Sequence, residues 1–273
     1  MKHLFLVLIL PAALAAVEEK ETTQQTYPAA ARLEIKNING AVRVTGSQRN
    51  DFQVTIHKRI EAKSQEALQQ AKREVRVDVD SSPARLKLCV AGPWNDCLDD
   101  RKGGGCRGDC SRDYSVSYEF VVEAPMQVAA DLKSVNGGVR ARNLSGAVAA
   151  RTVNGGVTLE EVGSASVAHT VNGAVKISVT QSPAEGLDAK TVNGSIDVAF
   201  PRALNARLRF KTLHGDVFTN FPATSMASQP MERETKNGKT VFRADRSFAV
   251  QVGSGGPEHR FETLNGSIEI RER

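Results

Sequence analysis

Residues 151–157 read RTVNGGV, and the phrase returns as HTVNGAV at 169–175 and KTVNGSI at 190–196. Aligning every copy gives Asn39-Gly40, Asn136-Gly137, Asn154-Gly155, Asn172-Gly173, Asn193-Gly194, His214-Gly215 and Asn265-Gly266. From Gly137 to Gly215 the glycines fall 18, 18, 21 and 21 residues apart. Weaker copies, NLSGAV at 143–148 and EVGSAS at 161–166, lie midway between the first of them. The repeating unit therefore reads as two short strands and two bends, the signature of a repeat architecture.

Within each copy apolar residues fall two apart, as in Val153, Gly155, Val157 and Leu159, or Val171, Gly173, Val175, Ile177 and Val179. That period turns one face of a strand inward, and on this reading the valines of the phrase fill the core. Asn followed by Gly accommodates the bend, because both residues tolerate positive φ. Such a dipeptide can close the hairpins of an antiparallel meander or the corners of a stacked solenoid. The whole phrase repeats in register, with Ser134, Thr152, Thr170, Thr191, Thr212 and Thr263 in one column and asparagines in the next. A meander has no need of that, so the expected fold is all-β: a stacked β-repeat, solenoid or β-helix-like, in a single domain over residues 29–273. Asn136, Asn154, Asn172, Asn193 and Asn265 are expected to form a structural ladder.

The rest of the chain fits an exported β protein. Lys2 and His3 precede an apolar run from Leu4 to Ala16 that ends in small residues, the order of a signal peptide over 1–16. The run is shorter than the roughly 20 apolar residues a membrane span needs. No later apolar run suggests one, which points to a periplasmic or secreted protein. Residues 17–28, VEEKETTQQTYP, have no periodicity and read as a flexible leader. RLEIKNINGAVRVTG then reads as a strand pair, FQVTIHKRI as a strand, and SQEALQQAKREV as a short helix with Ser64 as N-cap and Glu66 in its first turn. A helix there can cover an open end of the stack. EVRVDVD and ARLKLCV read as further strands, and KNGK at 236–239 as an ordinary hairpin outside the series. The net charge of +5 is mild, and no basic cluster is interleaved with aromatics, which argues against nucleic acid.

All four cysteines, Cys89, Cys97, Cys106 and Cys110, sit in one Gly- and Asp-rich loop insertion at 89–110. In an exported chain this pattern predicts disulfides in preference to zinc, whose ligands are usually closely spaced at both ends. Three connectivities are open. If the strands at 85–90 and 114–121 pair, Cys89 with Cys110 and Cys97 with Cys106 is the simplest. The loop also spells Arg107-Gly108-Asp109 between two cysteines, a tripeptide that chance supplies readily. Asp96, Asp99, Asp100, Asp109 and Asp113 match no loop of defined calcium ligands and read as solvated surface.

NING near the start, YEFVVEAP at 118–125 leading into LKSVNGGV, the serial TVNG phrases and the closing TLNGSIEI at 263–270 resemble the putative-adhesin family, exported β-strand-repeat domains of unknown function. The resemblance covers most of the chain from about residue 30. It implies a stacked β fold at the cell envelope and transfers no catalytic residue.

No nucleophile elbow, phosphate loop or metalloprotease motif is present, and GSGGP at 253–257 fits none of them. Histidines 57, 169, 214 and 259 are scattered, and two fall at repeat positions. The expected function is therefore non-enzymatic: a cell-envelope or secreted protein presenting an extended, adhesin-like binding surface, with no cofactor and no metal. The enzymatic alternative is a glycan-acting β-solenoid, which would need convergent carboxylates on neighbouring rungs. The residue before each Thr or Ser is Lys133, Arg151, His169, Lys190 and Lys211, with Glu262 breaking the run. Stacked about 4.8 Å apart, these form a basic stripe suited to an anionic envelope polysaccharide or lipid surface. The plainer alternatives are a solvated basic face or a contact with envelope proteins.

Overall fold

The computed structural model describes residues 17–94, 97, 112–226, 232–236, 239–243 and 247–273. Residues 1–16, Cys106, Cys110 and the Arg107-Gly108-Asp109 tripeptide lie outside them, as do Asp96, Asp99, Asp100, Asn237 and Gly238. The chain opens with β1 (Val17–Pro28), β2 (Arg32–Lys36), β3 (Val42–Ser47) and β4 (Asp51–Ala62), then α1 (Gln65–Glu74). β5 (Arg76–Ser81), β6 (Leu86–Ala91) and β7 (Tyr114–Pro125) follow. The repeats supply β8 (Ala129–Lys133), β9 (Val139–Arg142), β10 (Ala147–Arg151) and β11 (Val157–Val162). They continue with β12 (Ser164–His169), β13 (Val175–Val179), β14 (Asp188–Lys190) and β15 (Ile196–Phe200). Next come β16 (Ala206–His214), β17 (Val217–Thr219), β18 (Ala223–Ser225), β19 (Glu232–Lys236) and β20 (Lys239–Arg243). β21 (Phe248–Val252), β22 (Glu258–Asn265) and β23 (Ile268–Glu272) end the chain.

These strands form two mixed sheets. One runs β1-β4-β7-β3-β9-β11-β13-β15-β23-β17-β20-β19, the other β18-β21-β16-β22-β14-β12-β10-β8-β2-β6-β5. Successive repeat strands alternate between the sheets, and from β8 to β13 each pairs in parallel with the strand two further along, as β10 with β12 and β11 with β13. The Asn-Gly bends are therefore corners between sheets and not hairpin turns. RLEIKNINGAVRVTG is such a corner too: β2 and β3 lie in different sheets and do not pair with each other. Antiparallel strands flank the parallel centre, among them β19 with β20, where Lys236 stands opposite Lys239 across the expected hairpin.

Inward side chains from both sheets make one core, including Val157 and Leu159 of β11 and Val175 and Ile177 of β13. Full burial of each contributes roughly 1.5–3 kcal/mol. Helix α1 is capped by the Ser64 hydroxyl, which accepts from the Ala67 amide, and carries Glu66 in its first turn. It packs Ala67, Leu68 and Ala71 into the core beside β4 and β7.

Three expectations are corrected. Residues 17–28 are not a leader but β1, paired residue for residue with β4 from Val17 opposite Ala62 to Pro28 opposite Asp51. Edge strands need main-chain partners more than apolar alternation, and β1 is largely exposed on both faces, so no periodicity marks it. Cys89 bonds Cys97 instead of Cys110. The nested arrangement required β6 and β7 to pair; they belong to different sheets, and β6 pairs with β2 and β5. Finally, Val153 and Val171 do not face the core. They are 39% and 38% exposed, while Thr152 and Thr170 beside them are buried.

Candidate functional site

The corners carrying the repeated phrase line up along one edge of the molecule. Asn39, Asn136, Asn154, Asn172, Asn193 and Asn265 bridge in that order. Each side-chain amide donates to the preceding asparagine: Asn154 Nδ2 to Asn136 Oδ1 at 2.8 Å, Asn172 to Asn154 at 2.9 Å, and Asn265 to Asn193 at 2.7 Å. His214 ends the line, with Nδ1 3.1 Å from Asn265 Oδ1. The last copy in the sequence is thus inserted in space: β22 lies between β14 and β16, and β23 between β15 and β17.

Two residues make the corner possible. The buried Thr hydroxyl donates to a glycine carbonyl one rung away, Thr152 to Gly137 at 2.7 Å and Thr191 to Gly173 at 2.8 Å. The glycine is demanded by close approach, since a Cβ on Gly173 would stand 2.2 Å from the Gly155 carbonyl oxygen. Asn154 and its counterparts are not among the positive-φ residues. Their place in the phrase is explained by the ladder, and only the glycine serves the backbone.

The five basic residues of the expected stripe fall in one sheet, ending β8, β10, β12 and β14, with Lys211 inside β16. Each is ion-paired. Asp131 takes Lys133 and Arg151, both at 3.1 Å. Asp188 takes His169 at 3.0 Å and Lys190 at 3.1 Å. Lys211 meets Glu262, which stands in register between Lys190 and Lys211. Partial burial pushes the His169 imidazole below its ordinary pKa against the pull of Asp188, which favours the neutral ring. The column is therefore a chain of partly exposed polar contacts, its ion pairs each worth about 0–1 kcal/mol.

Two positions on from those five residues and from Glu262 runs a second column: Val135, Val153, Val171, Val192, Leu213 and Leu264, all exposed. The sequence held its signal, an aliphatic residue before the Asn or His in every copy, but strand alternation assigned it to the core. At the far end the two columns enclose a groove of about 550 Å³, walled by Val192, Leu264 and Leu213 and flanked by Lys190, Lys211 and Glu262.

The four described histidines do not converge. His57 meets Thr22, His169 meets Asp188, His214 meets Asn265, and His259 is buried against Phe200 with its rings 5.2 Å apart. Among the described residues no group of His, Cys, Asp and Glu is arranged to hold a metal ion, and no helix is long and apolar enough to cross a membrane. Asp113, the described member of the Asp set, pairs with Lys63 at 2.8 Å.

No protein-family model matches the chain, and no curated protein matches it. Solved structures similar to it include a "putative cell adhesion protein" from Clostridium sporogenes, 12% identical, covering 95% of this chain and 100% of that one with a TM-score of 0.42. Another is a "putative adhesin" from Bacteroides fragilis, 10% identical over 93% and 97% of the two chains, TM-score 0.29. A "putative lipid binding protein" from Parabacteroides distasonis is 10% identical over 93% and 96%, TM-score 0.26. The names of the first two match the family that the TVNG phrases resemble.

Proposed function

We propose that the protein is a non-catalytic β-solenoid of the cell envelope, periplasmic or secreted, whose corner edge is an extended binding surface. The observation that carries this reading is the aliphatic column from Val135 to Leu213, exposed on every rung beside a column of cations. Six exposed aliphatics in one line have no role in the core, and contiguous apolar surface of this kind marks interaction sites. The cations Lys133, Arg151, His169, Lys190 and Lys211 supply attraction to an anionic envelope component, exchanging their intramolecular partners for it. Export is supported by the apolar run at 4–16 and by the Cys89–Cys97 disulfide.

The absence of catalysis is supported by the state of the rung carboxylates. Asp131 is occupied by two cations, Lys133 and Arg151, and Asp188 by Lys190 and the His169 ring. Hydrogen bonds from Arg209 and Arg260 hold the Glu258 carboxyl below its ordinary pKa, the wrong direction for a general acid.

Surface plasmon resonance over an immobilised anionic polysaccharide tests the reading. Binding should be salt-sensitive and should fall in Lys190→Glu/Lys211→Glu and in Val153→Asp/Val171→Asp. Binding that both double variants leave intact would remove this edge from the account.

A further inference from the structure

The groove at the far end of the edge differs from the rest of it. Over the first four rungs of the exposed column the residue is Val, 36–40% exposed; at the last two it is Leu264 and Leu213, 43% and 63% exposed. These two leucines are neighbours because β22 is inserted beside β16. The same insertion sets Glu262 between Lys190 and Lys211. The groove therefore exists only because the last copy of the phrase is out of sequence order in the stack.

Its chemistry is specific. Thr191, Thr263 and Thr212 line it, but their hydroxyls are already donated to the carbonyls of Gly173, Gly194 and Gly266. They offer an occupant methyl groups and little hydrogen bonding. Among the described residues no aromatic side chain lines the groove to stack on a sugar ring. What it does offer is an aliphatic wall crossing three rungs, about 10 Å from the first to the last, with two lysines against one glutamate along its rim. The volume lies in the range of small-molecule sites, roughly 300–1,000 Å³.

We propose that this groove binds an anionic amphiphile, a single acyl chain ending in a carboxylate or phosphate. The chain lies along Val192, Leu264 and Leu213, and the head group displaces Glu262 from Lys211 or Asp188 from Lys190. Surface pairs of this kind give way at little cost, whereas the apolar stem gains by leaving water. The proposal rests on the edge being a binding surface and names the ligand at one end of it.

Calorimetric titration of the full chain with laurate, lauryl phosphate, dodecanol and inorganic phosphate tests it, with sedimentation on phosphatidylglycerol vesicles separating free amphiphile from membrane. Laurate and lauryl phosphate should bind saturably at one per chain, more tightly than dodecanol. Leu213→Glu, at an exposed position, should weaken laurate by about tenfold or more. Lys211→Gln should weaken laurate but not dodecanol. Inorganic phosphate binding as tightly as lauryl phosphate, binding to vesicles alone, or a laurate affinity unchanged in folded Leu213→Glu would overturn the proposal. If laurate fails while the anionic polysaccharide still binds, the ligand is wrong and the edge stands; if both fail, the edge itself is rejected.

Discussion

The Thr170 hydroxyl donates to the Gly155 carbonyl oxygen at 2.7 Å, one rung down the stack. Thr170 is buried, so this bond satisfies a hydroxyl that water hardly reaches. Thr170→Val keeps the shape and leaves the carbonyl without its side-chain donor. It should cost about 1–3 kcal/mol in urea unfolding, with Thr170→Ser recovering most of the loss. Equal stability of Val and Ser at this position would show that the hydroxyl does not hold the corner.

Glycine is needed at the fifth position of the phrase and less at the sixth. A Cβ on Gly173 would meet the Gly155 carbonyl at 2.2 Å, and the residue has φ +158°; a Cβ on Gly138 would meet the Gly156 carbonyl at 3.4 Å. Gly173→Ala should destabilise by about 2 kcal/mol or more, and Gly138→Ala by well under half of that. Thermal melts of the two variants compare them directly.

The outward turn of Val153 and the inward turn of Val157 predict opposite outcomes for one chemical change. Val153 is 39% exposed and Val157 fully buried. Val153→Ala should alter stability by no more than about 0.5 kcal/mol, whereas Val157→Ala should cost roughly 1–3 kcal/mol. Only the first should weaken ligand binding without lowering Tm.

His259 makes stability depend on pH. Its Nδ1 accepts from the Leu187 amide at 3.0 Å, and burial pushes the ring pKa down to about 4. An unfolded histidine titrates near about 6.5, so between these values the unfolded chain binds the extra proton. The contribution is thus complete above about pH 6.5 and is lost as the pH falls toward 4, by a few kcal/mol in all. His169, also lowered by burial, adds to the same trend. Urea unfolding at pH 7 and pH 5 should show a clear loss of stability, and His259→Phe should show a smaller one. The comparison rests on the slope, because the variant also removes the acceptor for the Leu187 amide.

Much of this molecule was legible from residues 151–157 and their copies. Thr, Asn and Gly recur because each does a separate job at a corner: buried hydrogen bond, side-chain ladder and close backbone approach. A mostly β protein was legible in those copies, and the helix with its Ser64 cap in its own stretch, SQEALQQAKREV. The direction of the valine did not. Thr152 and Val157 both point inward although they are five apart, because the chain changes sheet between them and the alternation restarts. A period-two reading carried across that corner sends Val153 to the core, and with it the column that the candidate site depends on.

The sequence by itself determined that this is a mostly β chain whose copies repeat Thr, Asn and Gly in register. It did not determine their order. Asn39 stacks on Asn136 across 97 residues of chain, and Asn265 enters between Asn193 and His214. Any copy offers its neighbours nearly the same Thr, Asn and Gly contacts, so local chemistry does not distinguish the possible sequences of rungs. The choice rests with the surroundings: β22 and β23 fit where Phe261 packs against Phe210 and Phe200 and Ile268 pairs with Ile196 and Val217. That packing sets Leu264 beside Leu213 and Glu262 beside Lys211, and only the folded chain could bring them together.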